Sequence, residues 1–163
     1  MRTPLTLGLA LILALTPTLR PVPARAQEKK VVEEIASTFL LALSAADTAT
    51  LAGLLAPEAM IYSVREGQEG AVLGTRTRES FLTGLGGDAR GLLERMWSPT
   101  VLVQDRVAMV WTPYDFHLDG EFSHCGIDVF TLLEGPEGWK VTSITYNVVR
   151  EGCAASPLGS PGG

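Results

Sequence analysis

Thiols and imidazoles are scarce in this 163-residue chain, which has two cysteines and two histidines. No CxxC pair, glycine-rich phosphate loop or serine elbow occurs, which removes the dithiol, nucleotide and hydrolase readings built on those motifs. Clustered basic residues are missing as well. The 13 Lys and Arg are scattered and outnumbered by 18 Asp and Glu, a balance that disfavours nucleic acid and anionic membranes as partners. No internal repeat is visible. One His₂-carboxylate combination exists, His117 and His124 with Asp115, but such a set must converge within a few ångströms. His117 is placed at an exposed turn by its position, so no metal and no cofactor are expected.

The N-terminus does carry a long apolar stretch. Met1-Arg2 supplies a positive start, Leu5 to Leu15 an apolar run, and Pro21 to Ala26 ends in Ala-Arg-Ala. This is the pattern of a signal peptide, residues 1–26, cleaved after Ala26. The run is short for a membrane span and is followed by prolines. With no cysteine after it and no twin arginine, a lipid anchor and folded export are both disfavoured. A periplasmic or secreted location is expected. Cleavage leaves 10 basic against 18 acidic residues, a net charge near −8. In an oxidising compartment Cys125 and Cys153 invite a disulfide. Both the bonded and the free state remain open.

The rest is long enough for one domain with a sizeable core. Gln27 to Ala45 has helical periodicity through Ile35, Phe39, Leu40 and Leu43. Asp47 is an N-cap for a short helix through Leu55, and Ala59 to Val64 reads as a strand. Arg65 to Gly74 reads as a loop, and Thr77 to Leu85 as a third helix ended by Gly86-Gly87. From Leu92 a strand runs towards Val103, with Pro99 marking an edge or a bulge. Trp139 to Val149 is the last strand, and residues 154–163 are expected to be a disordered tail.

Between them lies Val107 to Phe130, VAMVWTPYDFHLDGEFSHCGIDVF, read as a hairpin on an Asp119-Gly120 turn. A type I′ turn puts Leu118 opposite Glu121. Asp115 then faces His124, Pro113 faces Gly126, Trp111 faces Asp128 and Met109 faces Phe130. Alternation gives these residues one face, aromatic and ionisable. Val110, Tyr114, Phe116, Cys125, Ile127 and Val129 take the other.

Helix, Asp-led helix, strand, helix and meander closing on Gly-Trp-Lys-Val resembles the nuclear transport factor 2-like (NTF2-like) superfamily, over Lys30 to Cys153. Its SnoaL-like, ketosteroid isomerase and lumazine-binding-type members are included. The segments VWTPYDFHLDGEFSHCGIDVF and GWKVTSITYNVVREGC are similar to those of exported bacterial members. The resemblance implies an α+β fold, residues 27–153: a cone-shaped curved antiparallel sheet wrapped around N-terminal helices, with a pocket between them. It also implies a homodimer through the outer sheet face, and it implies no single activity.

Within that pocket His124 and Asp128 are the candidate acid/base groups. An Asp opposite a His can fix its tautomer, or the two can simply tie strands together. A carboxylate beside Trp111 should have a raised pKa, or be satisfied by a hydroxyl or amide. Tyr62, Trp97 and Trp111, with Asp115, are the candidate ligand-binding residues. Arg76, Arg78 and Arg95 read as solvated, with Arg95 nearest the pocket mouth. Three functions fit: an exported protein binding a small hydrophobic or aromatic molecule, a proton-transfer isomerase, dehydratase or cyclase, and a dimeric interaction module. The isomerase pattern is incomplete, because the first helix offers no tyrosine at the pocket end.

Overall fold

The computed structural model describes residues 24–86 and 91–161. The leader reading rests largely on residues 1–23, outside the described ones. Three helices, α1 (Ala24–Ser44), α2 (Thr48–Leu54) and α3 (Arg78–Gly86), alternate with or precede seven strands. The strands are β1 (Leu55–Gly67), β2 (Gly70–Thr77), β3 (Leu92–Met96), β4 (Thr100–Gln104), β5 (Val107–Leu118), β6 (Glu121–Gly135) and β7 (Gly138–Val148). They form one curved sheet in the order β2-β1-β7-β6-β5-β3, with β4 also pairing β5. All neighbours are antiparallel except β1 and β7.

Local chemistry explains most boundaries. The Asp47 carboxylate accepts from the Thr50 amide at 3.0 Å and caps α2, one of the otherwise orphan amides of a helix start. Val32, Ala36, Phe39 and Leu40 of α1 pack on Val110, Phe130, Leu132 and Val141 of the sheet, giving one fully buried core. The strand expected from Leu92 to Val103 is split at Trp97-Ser98-Pro99. Its halves β3 and β4 pair successive parts of β5 as one interrupted edge, which is where a proline can sit. The expected loop from Arg65 to Gly74 is instead the tip of a β1–β2 hairpin. β2 is solvent-facing over nearly its whole length, so its sequence carries no apolar alternation to betray it.

The hairpin turn is as expected. Asp119 and Gly120 have φ of 52° and 83°, the pair of positive values a type I′ turn requires, and Leu118 lies opposite Glu121. Two residues beyond Glu121 the register slips. His117 pairs with Phe122 but Phe116 pairs with His124, so Ser123 is an extra, bulged residue. A one-residue slip exchanges the faces of every later partner. Tyr114 is therefore opposite Gly126, Thr112 opposite Asp128 and Trp111 opposite Val129. The expected pairs Asp115–His124 and Trp111–Asp128 do not form. Gly126 is required here, because a Cβ would lie 2.0 Å from the Asn147 carbonyl oxygen and 2.7 Å from the Tyr114 ring.

Candidate functional site

Curvature of the sheet against α1 and α3 leaves a cavity of about 620 Å³, inside the usual range for small-molecule sites. Phe39, Leu43, Phe81, Phe116 and Phe130 give it an apolar body. Its polar lining comes from cross-strand rows on the concave face. One row runs Ser63, Tyr146, Asp128 and Thr112; another carries Phe116 and His124, with Glu94 of β3 paired to Phe116.

Two carboxyls meet in the wall. Asp128 is 2 % exposed, and its Oδ2 is buried with no hydrogen-bond partner. Desolvation pushes its pKa up to about 7, partly offset by a hydrogen bond with Glu94. Burial, the Asp128 charge, the same hydrogen bond and the Asp115 charge all raise Glu94 well above the usual carboxylate range. Two carboxyls in such contact hold one proton between them at neutral pH. Tyr114, 1 % exposed, lies in the same wall and its hydroxyl donates to the Asn147 carbonyl at 2.9 Å. Burial and then the negative charge of Glu94 and Asp128 raise its pKa, so it stays a neutral phenol.

His124 faces the cavity too, between the Phe116 ring at 4.9 Å and the Tyr114 ring at 5.7 Å. Desolvation and then Arg150 lower its pKa, so the imidazole is neutral at pH 7. The bulge brings Ser123 Oγ to 3.0 Å from its Nδ1 and so occupies that nitrogen, leaving Nε2 as the one without a bond among the described residues. Among the described residues no three His, Cys, Asp or Glu side chains gather as a metal site.

The other expected site residues lie elsewhere. Tyr62 and Trp111 are about 40 % exposed and project from the convex face, since their neighbours Ile61 and Ser63, and Val110 and Thr112, take the concave one. Trp97, in the break between β3 and β4, is not in the cavity wall. Asp115 is buried on the convex side, where Arg95 Nε and Nη2 donate to its two oxygens at 2.9 and 2.6 Å. Arg95 thus faces away from the pocket mouth. Tyr114 and Phe116, expected on the opposite face, line the cavity, as do Ile144 and Tyr146. All of these exchanges on β5 trace to the bulge at Ser123.

Burial alone would raise the Asp115 pKa; the Arg95 bonds and charge, then Ser156 and His117, hold it below its usual range. His117 is 5 % exposed rather than at an open turn, with Nε2 3.5 Å from Asp115. The segment expected to be a disordered tail is described to residue 161. Its Gly159 carbonyl accepts from Arg95 at 2.9 Å, and Cys153 is joined to Cys125. Glu94 is the functional candidate that the sequence reading passed over. Its signal was present: Leu92, Glu94 and Met96 share one parity, placing a lone carboxylate on an apolar face.

Solved structures share this architecture. An NTF2-like superfamily protein from Salmonella enterica aligns with a TM-score of 0.63 and 16 % identity, covering 82 % of this chain and 99 % of its own. A dehydratase candidate of the NTF2-like family from Streptomyces avermitilis also scores 0.63 at 16 % identity, over 77 % and 99 %. An NTF2-like protein with a cystatin-like fold from Novosphingobium aromaticivorans scores 0.61 at 16 % identity, over 82 % and 90 %. The chain has the NTF2-like fold. No family model matches the sequence, and no curated protein does. At these identities the NTF2-like likeness speaks for architecture, and chemistry has to be argued from the cavity itself.

Proposed function

We propose that this protein binds a small, largely apolar or aromatic molecule in the NTF2-like cavity, with the Glu94–Asp128 pair as its polar anchor. The observation that carries this reading is the buried Asp128 Oδ2, without a donor from the protein, in the wall of a 620 Å³ aromatic-lined cavity. A ligand hydroxyl, amine or carbonyl entering there exchanges hydrogen bonds with the shared proton. The test is native mass spectrometry of protein purified from its own source, compared with the denatured mass. A retained small molecule that Asp128→Asn fails to hold is the expected result. Protein that is empty and shows no thermal shift with any of a panel of neutral and acidic aromatic compounds would overturn it.

A second reading has its own support. One carboxyl titrating near pH 7 beside a neutral imidazole is an acid/base set matched to neutral pH, as proton-transfer isomerases, dehydratases or cyclases need. Slow conversion of the retained molecule, lost in both Asp128→Asn and His124→Ala, would favour it over binding alone.

Export is part of the proposal: the secreted or periplasmic protein should begin at Gln27, and the Cys125–Cys153 bond suits an oxidising compartment. So is a homodimer through the convex face, which exposes Tyr62, Leu102, Val107, Trp111 and Leu133. Light scattering on Trp111→Lys should then report a monomer.

A further inference from the structure

The cavity has a charge opposite to that of the chain that builds it. The protein carries a net charge of −5, yet Arg65, Arg76 and Arg150 all line the cavity, on its β1, β2 and β7 side. The acidic lining is the Glu94–Asp128 pair, whose two members are bonded to each other and hold a proton. Three guanidiniums, each solvent-exposed, against at most two carboxylates make the lining electropositive. Clefts of one sign with apolar walls concentrate counter-ions far more than open surface does.

The arginines are arranged rather than scattered. Arg65 on β1 is the register partner of Val148 on β7, and Arg150 lies two residues beyond on the same face, so the two guanidinium-bearing positions are diagonal neighbours. Arg76 is fixed separately. Its Nη2 donates to the Tyr146 hydroxyl at 2.9 Å and its guanidinium lies 5.4 Å from the centre of the Phe81 ring. None of the three forms a salt bridge among the described residues. By contrast Arg95, on the convex side, is fully engaged with Asp115. The apolar body is far larger than an inorganic ion needs, and the planar fork of an arginine matches a carboxylate through two parallel bonds.

We infer that the ligand class is an organic carboxylate, an aromatic or bulky aliphatic acid. Its ionised group lies at Arg65 and Arg150, and its body fills the chamber of Phe39, Phe81, Phe116 and Phe130. Its far end reaches Glu94 and Asp128. Arg76, held by Tyr146 and Phe81, is a positioning residue at the cavity wall. This inference rests on the reading that the cavity binds a small molecule, and it adds the charge of that molecule.

The probes are 2-naphthoic acid, its neutral methyl ester and 2-naphthyl phosphate, titrated calorimetrically into the full mature protein at low and at physiological salt. The acid is expected to bind about tenfold more tightly than the ester, as a charge-assisted bidentate contact should provide, and to weaken with salt. Arg65→Gln and Arg150→Gln should each remove most of that preference. Ester affinity should fall much less than acid affinity in both variants, and the ester binding that remains shows that the variant cavity is intact. An ester that binds as well as the acid would overturn the carboxylate while leaving the pocket standing. A phosphate that binds more tightly than the acid would also overturn it, in favour of phosphoryl recognition. If neither acid, ester nor any neutral aromatic compound binds, both the carboxylate and the pocket reading fall together.

Discussion

Two aspartates on the same hairpin, Asp115 on β5 and Asp128 on β6, are both nearly inaccessible, at 3 % and 2 % exposure. They differ in what the sheet sets against them. Asp115 meets a guanidinium through two bonds, under the C-terminal segment, and its carboxyl is held ionised. Asp128 meets a second carboxyl in an apolar wall, where burial raises its pKa to about 7 and the two share a proton. Burial presses both upward; the partner decides the outcome. The convex aspartate is therefore a fastening, and the concave one keeps a polar atom available to something from outside.

Cutting the fastening should have the largest effect. Asp115→Asn leaves the half-buried Arg95 without its counter-charge, a change that costs about 3–5 kcal/mol for a fully buried pair and the lower end of that here, read by urea denaturation at pH 7. Ligand retention in the surviving folded fraction should be unaffected. Cleaving the bond between Cys125 and Cys153, 28 residues apart, should cost about 2–4 kcal/mol, seen as a lower Tm on adding reductant. It should also free the Gly159 end of the tail from Arg95.

The concave carboxyl predicts the opposite response to pH. Asp128 has a folded pKa of about 7 against an ordinary value of 3.8. The folded state thus holds more protons than the unfolded one across that window, so stability falls as pH rises from about 4 to 7. Asp128→Asn should flatten that slope and add roughly 2 kcal/mol at pH 8, measured by denaturation at several pH values. Asp115, with a lowered pKa, contributes stability that is present above its ordinary value and lost as pH falls below it. A wild-type profile that rises from pH 4 to 7 would erase the distinction between the two sites. The smallest effect belongs to Leu73→Ser on β2, at 80 % exposure, expected within about 0.5 kcal/mol and without consequence for ligand retention.

Much of this comparison was legible before any coordinates. The Asp119-Gly120 turn, the Asp47 cap and the edge position of Pro99 follow from local rules, and the α+β cone from the order of elements and the resemblance it carries. The shared face of His124, Asp128 and Phe130 on β6 was legible too, because alternation along one strand needs no partner. What was lost is what depends on two strands at once. Ser123 bulges without any compositional mark, and the slip it introduces moved Trp111 and Asp115 out of the pocket and Tyr114 and Phe116 into it. Glu94 was passed over for a related reason. Its significance lies in meeting Asp128 in the cavity wall, 34 residues away in sequence, and no periodicity within LLERM states where that face will point.

The spare residue at position 123 has a genetic consequence as well. In-frame loss of its codon would leave Leu118 opposite Glu121 and Phe116 opposite His124, closing the ladder into a regular hairpin with Asp128 still on the concave side. The casualty would be the hydroxyl that occupies His124 Nδ1. A gained codon has no such outlet, since it must enlarge the bulge or rotate Gly126 and Asp128 outward. At this point in the hairpin, length variation is open in one direction only: shorter, not longer.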